Sequence, residues 1–141
     1  MKTRNIFNVL RVAMSFIFLW AFVDKLFGFG LATKPENSWI NGGSPTTGFL
    51  ANAVHGPFTT IFNSLSGIAL VDWLFMLGLL FIGLTFLFNK YVKYGAIAGM
   101  IMMALMYLAL LFPENNPLID EHLIYLLVFA LFFSRDTGGN S

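Results

Sequence analysis

The chain predicts an all-α integral membrane protein: a four-helix up-down bundle with a long first extracytoplasmic loop that contains short interfacial helices. Three observations predict it. Of 141 residues, 57% are hydrophobic and 11% charged, with mean hydropathy +0.76, which is too little polar surface to cover a soluble globule of this size. Four apolar runs recur along the chain. The charges are also sorted: six of the eight cations, Lys2, Arg4, Arg11, Lys90, Lys93 and Arg135, lie on one side of those runs, and six of the seven acids, Asp24, Glu36, Asp72, Glu114, Asp120 and Glu121, on the other. Because segments rich in Lys and Arg are retained in the cytoplasm, both termini and the 89–94 turn are expected inside, in a multi-pass plasma-membrane topology with the polar chemistry facing out. Residues 1–141 read as a single membrane domain.

A helix rises about 1.5 Å per residue and the hydrocarbon core is about 30 Å thick, so roughly 20 apolar residues make one crossing. The first span is expected over about 6–29. Lys2 and Arg4 ahead of an apolar run imitate a signal peptide, but the run is long for one and no small-x-small cleavage site precedes Asp24-Lys25. In the loop 31–67, Ser44 is suited to cap a helix after Gly42-Gly43, and Pro45 fits the first helical position. Phe49, Leu50, Ala53 and Val54 then recur at helical spacing until Gly56-Pro57, and a second apolar stretch covers 58–65. Trp39 and Trp73 suit headgroup depth.

The second span is expected over about 68–88, the third over 94–112 and the fourth over 118–133. Brief turns at 89–93 and 113–117 make these three antiparallel neighbours. Asn116 can cap the fourth, with Pro117 in its first turn. Gly95 and Gly99 in the third span, followed by Met100, Met102, Met103 and Met106, predict close intramolecular packing rather than a dimer seam. A homo-oligomer remains open.

Composition also removes functions. A formal charge of +1 gives no basic field for nucleic acid. The absence of cysteine removes thiolate catalysis, iron–sulfur clusters and Cys-ligated zinc. Two histidines and scattered acids fit no metal spacing rule, so no metal site is expected, and a redox role must borrow an external carrier.

Arg11 is the most expensive residue, since a cation in hydrocarbon costs at least about 2.5 kcal/mol. It must snorkel to headgroups or find backbone carbonyls, Asn89, a tyrosine hydroxyl or a ligand. Arg4, Asn8, Arg11, Ser15, Phe18, Phe22 and Lys25 follow steps of three and four and form one stripe expected to face the bundle interior. A bridge from Asp24 or Asp72 to Lys25 is the expected ion pair. His122, with Asp120 and Glu121 beside it and Tyr125 one turn on, suits either a helix-start hydrogen bond or proton exchange with a lipid-soluble carrier. The turn Gly43-Ser44-Pro45-Thr46-Thr47 has hydroxyls and backbone donors that either cap a helix or hold an oxyanion.

Four stretches taken in order, 18–28 (FLWAFVDKLFG), 39–50 (WINGGSPTTGFL), 71–78 (VDWLFMLG) and 113–125 (PENNPLIDEHLIY), resemble the DoxX/DoxD family of small four-span membrane proteins, which includes the DoxD-type subunit of thiosulfate:quinone oxidoreductase. The resemblance implies a subunit that passes electrons from a reduced sulfur compound to a membrane quinone, beside a second oxidoreductase subunit. On that reading Lys25 polarises a quinone carbonyl and His122 and Asp120 exchange protons. Trp20, Tyr107 and Tyr125 form the apolar slot with Arg11 as a further binding residue, and Gly43, Ser44, Thr46 and Thr47 hold thiosulfate. The quinone is a carrier and not a covalent cofactor. The competing expectations are a non-enzymatic membrane scaffold that docks a partner protein and, more weakly, a transporter, for which no inverted repeat is evident.

Overall fold

The computed structural model describes residues 2–30, 33–111 and 119–137, and among them every regular element is helical. Helix α1 covers Thr3–Phe27. Two 3₁₀ turns (Pro35–Asn37 and Trp39–Asn41), one π-helical turn (Phe49–Ala53) and the short α2 (Thr59–Asn63) follow. The chain then forms α3 (Ala69–Phe88), α4 (Val92–Ala109) and α5 (Glu121–Thr137). Helices α1, α3 and α4 are long and apolar enough to cross a membrane, whereas α5 has 17 residues.

Where each helix stops follows from local chemistry. Gly28, at φ +73°, takes the left-handed conformation that ends α1, and its N–H closes on Asp24 O at 2.7 Å. Asn89, at φ +53°, ends α3 in the same way, and Lys90 N–H joins it on Thr85 O. Helix α4 stops at Ala109, earlier than the expected 112. The residue that would bond Ala109 O one turn on is Pro113, which has no N–H, and His55 N–H takes that carbonyl at 3.1 Å instead. Helix α5 begins at Glu121 rather than near 118 because the Asp120 carboxylate accepts Leu123 N–H at 3.1 Å, a capping bond that fixes the first turn. The expected roles of Asn116 and Pro117 lie outside the described residues.

Long-range contacts pair the start of one helix with the end of the next. Arg11 meets Phe86 and Leu87 while Leu19 lies against Gly83, so α1 and α3 run antiparallel. Gly95 lies against Thr85 and Gly78 against Met102, so α3 and α4 do too. Helix α5 packs along α4, with Phe129 over Gly99 and Lys93 Nζ 5.9 Å from the Phe133 ring centre. The expected intramolecular use of Gly95 and Gly99 is thus met.

The main core gathers Met14 and Phe18 of α1, Met76, Ile82 and Phe86 of α3, Ala96 and Met103 of α4, and Phe129 and Phe132 of α5. At its centre Phe129 stands 5.3 Å from Phe18 and 5.5 Å from Phe86, centre to centre. A second, smaller core of Leu50, Val54, Phe62 and Ala109 fastens the segment after α1 to the end of α4. Arg11, Lys93 and Arg135 lie at the end opposite to this segment, the Arg135 guanidinium 4.1 Å above the Phe7 ring. The expected inward stripe of α1 is right in its middle and wrong at its start. Ser15 and Phe18 are buried and Arg11, Phe22 and Lys25 half-buried, but Arg4 and Asn8 are exposed.

Arg11 sets one end of its guanidinium against the end of α3, while its buried Nε has no hydrogen-bond partner among the described residues. A helix leaves its last carbonyls without intrahelical donors and carries partial negative charge there. The Arg11 Nη1 group donates to Phe86 O, and to Leu87 O at 3.1 Å, one of the partners its position in the sequence demanded. Charged hydrogen bonds contribute about 1.5–3 kcal/mol. Arg11→Leu is therefore expected to lower unfolding stability by about that amount, read by thermal unfolding in lipid or detergent, and Arg11→Lys by less because an ammonium keeps the charge and a donor for these carbonyls.

Candidate functional site

A cavity of about 680 Å³ opens between α3 and α4 beneath the segment that follows α1. Its walls are Val71, Leu74, Phe75 and Gly78 of α3 and Ala98, Ile101, Met102, Leu105, Met106 and Ala109 of α4. Pro45, Thr46, Phe49, Leu50, Phe62 and Leu65 form its roof. The volume falls within the range of small-molecule sites, about 300–1,000 Å³. Leu74, Ile101 and Leu105 on the rim are 63%, 57% and 51% exposed, so the mouth opens sideways, onto the helix faces that lipid would cover.

One charge stands in this apolar wall: Lys25, from the last turn of α1. The α-helical register explains its position, since Phe22 and Phe18, one and two turns earlier, face the core and carry Lys25 to the same side. The expected bridge to Asp24 or Asp72 is not formed among the described residues. Asp24 is 1% exposed and accepts Phe29 N–H at 3.3 Å. Asp72 instead accepts two hydroxyls, Ser44 Oγ–H at 2.7 Å and Thr46 Oγ1–H at 2.5 Å. These hydroxyls reach a carboxylate that α3 places in its first turn, where acids are favoured, and so bring the roof down onto the helix.

The Ser44–Thr47 turn combines both of its expected chemistries internally. Ser44 Oγ accepts the N–H groups of Thr46 (3.4 Å) and Thr47 (3.1 Å) and the Thr47 hydroxyl (2.7 Å), which is capping. The oxyanion that it binds is the protein's own Asp72. Thr47 Oγ1 in turn accepts Gly67 N–H at 3.2 Å. A second anion placed here would face the Asp72 charge.

The other residues singled out in the sequence lie elsewhere. Asp120 and His122 form a pair at 3.0 Å, Oδ2 to Nδ1, at the start of α5, but they are not on the cavity wall. Burial raises the Asp120 carboxyl, and the His122 hydrogen bond, the Leu123 N–H and the His122 charge outweigh it, holding the group below the usual carboxylate range. Tyr125 packs against the main core. Trp20 lies outside the cavity, 40% exposed and stacked between Phe16 and Phe29 at 6.1 and 5.8 Å. Tyr107 is half-buried outside the lining, and Arg11 is at the opposite end of α1. Of the proposed binding groups, Lys25 and Thr46 alone stand on the cavity wall. The aromatic part of the lining comes from Phe49, Phe62 and Phe75, which the sequence gives no reason to single out from its 17 phenylalanines.

No family model, curated protein or solved structure matches the chain.

Proposed function

We propose that the chain is the quinone-binding membrane subunit of an oxidoreductase, a four-helix up-down bundle in the plasma membrane with both termini cytoplasmic. The observation that carries this reading is the cavity with its single cation: an apolar chamber, open sideways, with Lys25 set in an otherwise uncharged wall. A lipid-soluble ring enters such a space from the bilayer, and the ammonium hydrogen-bonds a carbonyl oxygen more strongly as that oxygen gains negative charge on reduction. The charge sorting along the sequence supports the topology. The four stretches that resemble the DoxX/DoxD family support the choice of quinone, with a reduced sulfur compound as electron source. Because Asp72 already fills the Ser44–Thr47 turn, the reading assigns oxidation of that donor to a second subunit.

The experiment is a binding titration. The purified chain in lipid nanodiscs is expected to bind a short-chain benzoquinone saturably, at one per chain, above the partitioning seen in empty nanodiscs. Uptake that only tracks the amount of lipid would refute the reading.

A further inference from the structure

Resting on that reading of the cavity, we infer that Asp72 is a proton-relay residue for the cavity's occupant, linked to the outside by Thr47 and Ser44 and to the cavity wall by Thr46. The hydrogen bonds form an unbroken series. Thr47 Oγ1–H donates to Ser44 Oγ at 2.7 Å, Ser44 Oγ–H donates to Asp72 Oδ1 at 2.7 Å, and Thr46 Oγ1–H donates to the same oxygen at 2.5 Å. Thr47 is the half-buried outer end and is bonded to the exposed Gly67 N–H. Asp72 is 8% and Thr46 6% exposed, and Thr46 lines the cavity.

Each hydroxyl has the capacity to donate and to accept, and its proton can rotate about the C–O bond. A proton entering at Thr47 moves inward as each hydroxyl passes one on, and it leaves Asp72 neutral. Asp72 then donates to Thr46, whose own proton turns to the cavity. The balance is that of a quinone: two electrons from the donor and two protons convert it to the quinol. The oxygen beside Thr46 receives the relayed proton, its C=O becoming C–OH, while the other oxygen takes one from a water molecule, which leaves as hydroxide. The charged group sharing the cavity is Lys25 of α1. The alternative carboxylate–imidazole pair, Asp120 and His122, is absent from the cavity wall, whereas this series ends on it.

The test uses the full chain in nanodiscs with one short-chain benzoquinone bound, reduced by dithionite in a stopped-flow instrument while quinol formation is followed. Proton transfer by a positioned group contributes about 10²-fold or more. Asp72→Asn and Thr46→Val are expected still to bind the quinone saturably, but to reduce it, once bound, about 10²-fold more slowly. Added formate should restore much of the rate in Asp72→Asn, and Asp72→Glu should retain it. A purely structural tie would not respond to formate. Variants that bind and reduce like the unmodified chain would overturn the relay and leave the quinone site standing. If the unmodified chain binds no quinone, the site itself fails and the relay with it. Should Asp72→Asn not fold, Thr46→Val, which removes the last hydroxyl and keeps the side-chain shape, decides the matter alone.

Discussion

Lys25→Met is expected to weaken binding of a short-chain benzoquinone about 10- to 100-fold while leaving the helical content and unfolding temperature close to those of the unmodified chain. The size follows from the cost of losing a charge-assisted hydrogen bond, about 1.5–3 kcal/mol, with each 1.4 kcal/mol worth tenfold in affinity. Stability should change little because Lys25 forms no ion pair among the described residues and stands in a wall of hydrophobic groups, where an unbranched methionine packs well. Lys25→Arg should restore part of the affinity, since the charge is kept but the larger planar head intrudes into the chamber. Equilibrium binding of the three chains in nanodiscs reads the effect, and equal affinities for the unmodified chain and Lys25→Met would remove the residue from the site.

A clear loss of stability is expected from Gly99→Ala. A Cβ at Gly99 would lie 2.5 to 2.6 Å from three atoms of the Phe129 ring. That ring is fully buried and held by Phe18 and Phe86 at 5.3 and 5.5 Å, so it has nowhere to retreat and the α4–α5 seam must open. Overpacking of this kind costs about 1–3 kcal/mol, offset only in part by the better helix propensity of alanine. Gly78→Ala is the internal control. Its Cβ would meet only the terminal methyl of Met102, at 2.8 Å, and a flexible side chain beside a cavity can move away. Unfolding of both variants in the same detergent should show a large shift for Gly99→Ala and a small one for Gly78→Ala. Equal shifts would mean that the packing around Phe129 is looser than described.

What could be read in the sequence was whatever depends on near neighbours or on a strong energetic demand. The apolar runs gave α1, α3 and α4 to within a few residues, because hydropathy and helix length are local properties. Arg11 had to find oxygen, and the unpaired carbonyls at the end of α3 supplied it. Gly95 and Gly99 at one-turn spacing implied close approach, and the neighbours proved to be Thr85 and Phe129. Lys25 stood out as a cation at the close of an apolar helix.

The cavity itself was not legible. Its lining comes from α1, the roof segment, α2, α3 and α4, and no periodicity within one segment reports a space left between several. Asp72 was misjudged for a related reason. Opposite charge made Lys25 its obvious partner, but the carboxylate sits one turn into α3 beneath a roof bearing Ser44 and Thr46, and two short hydroxyl bonds satisfy it there. The Asp120–His122 pair is a nearest-neighbour feature that did form, yet its distance from the chamber wall could not be read from adjacency along the chain. Two 3₁₀ turns at Pro35–Asn37 and Trp39–Asn41 also went unforeseen, although Trp39 proves to anchor that segment edge-on against Trp73, 4.7 Å between ring centres.

Whether a quinone occupies the cavity between α3 and α4 can be read by photolabelling the chain in nanodiscs with an azido-benzoquinone, followed by peptide mapping. Label on the peptides carrying Thr46, Leu74 and Ile101 to Met106, displaced by excess unlabelled quinone, is the predicted result. Displaceable label confined to α5, around His122 and Tyr125, would place the quinone elsewhere and rule out the cavity as its site.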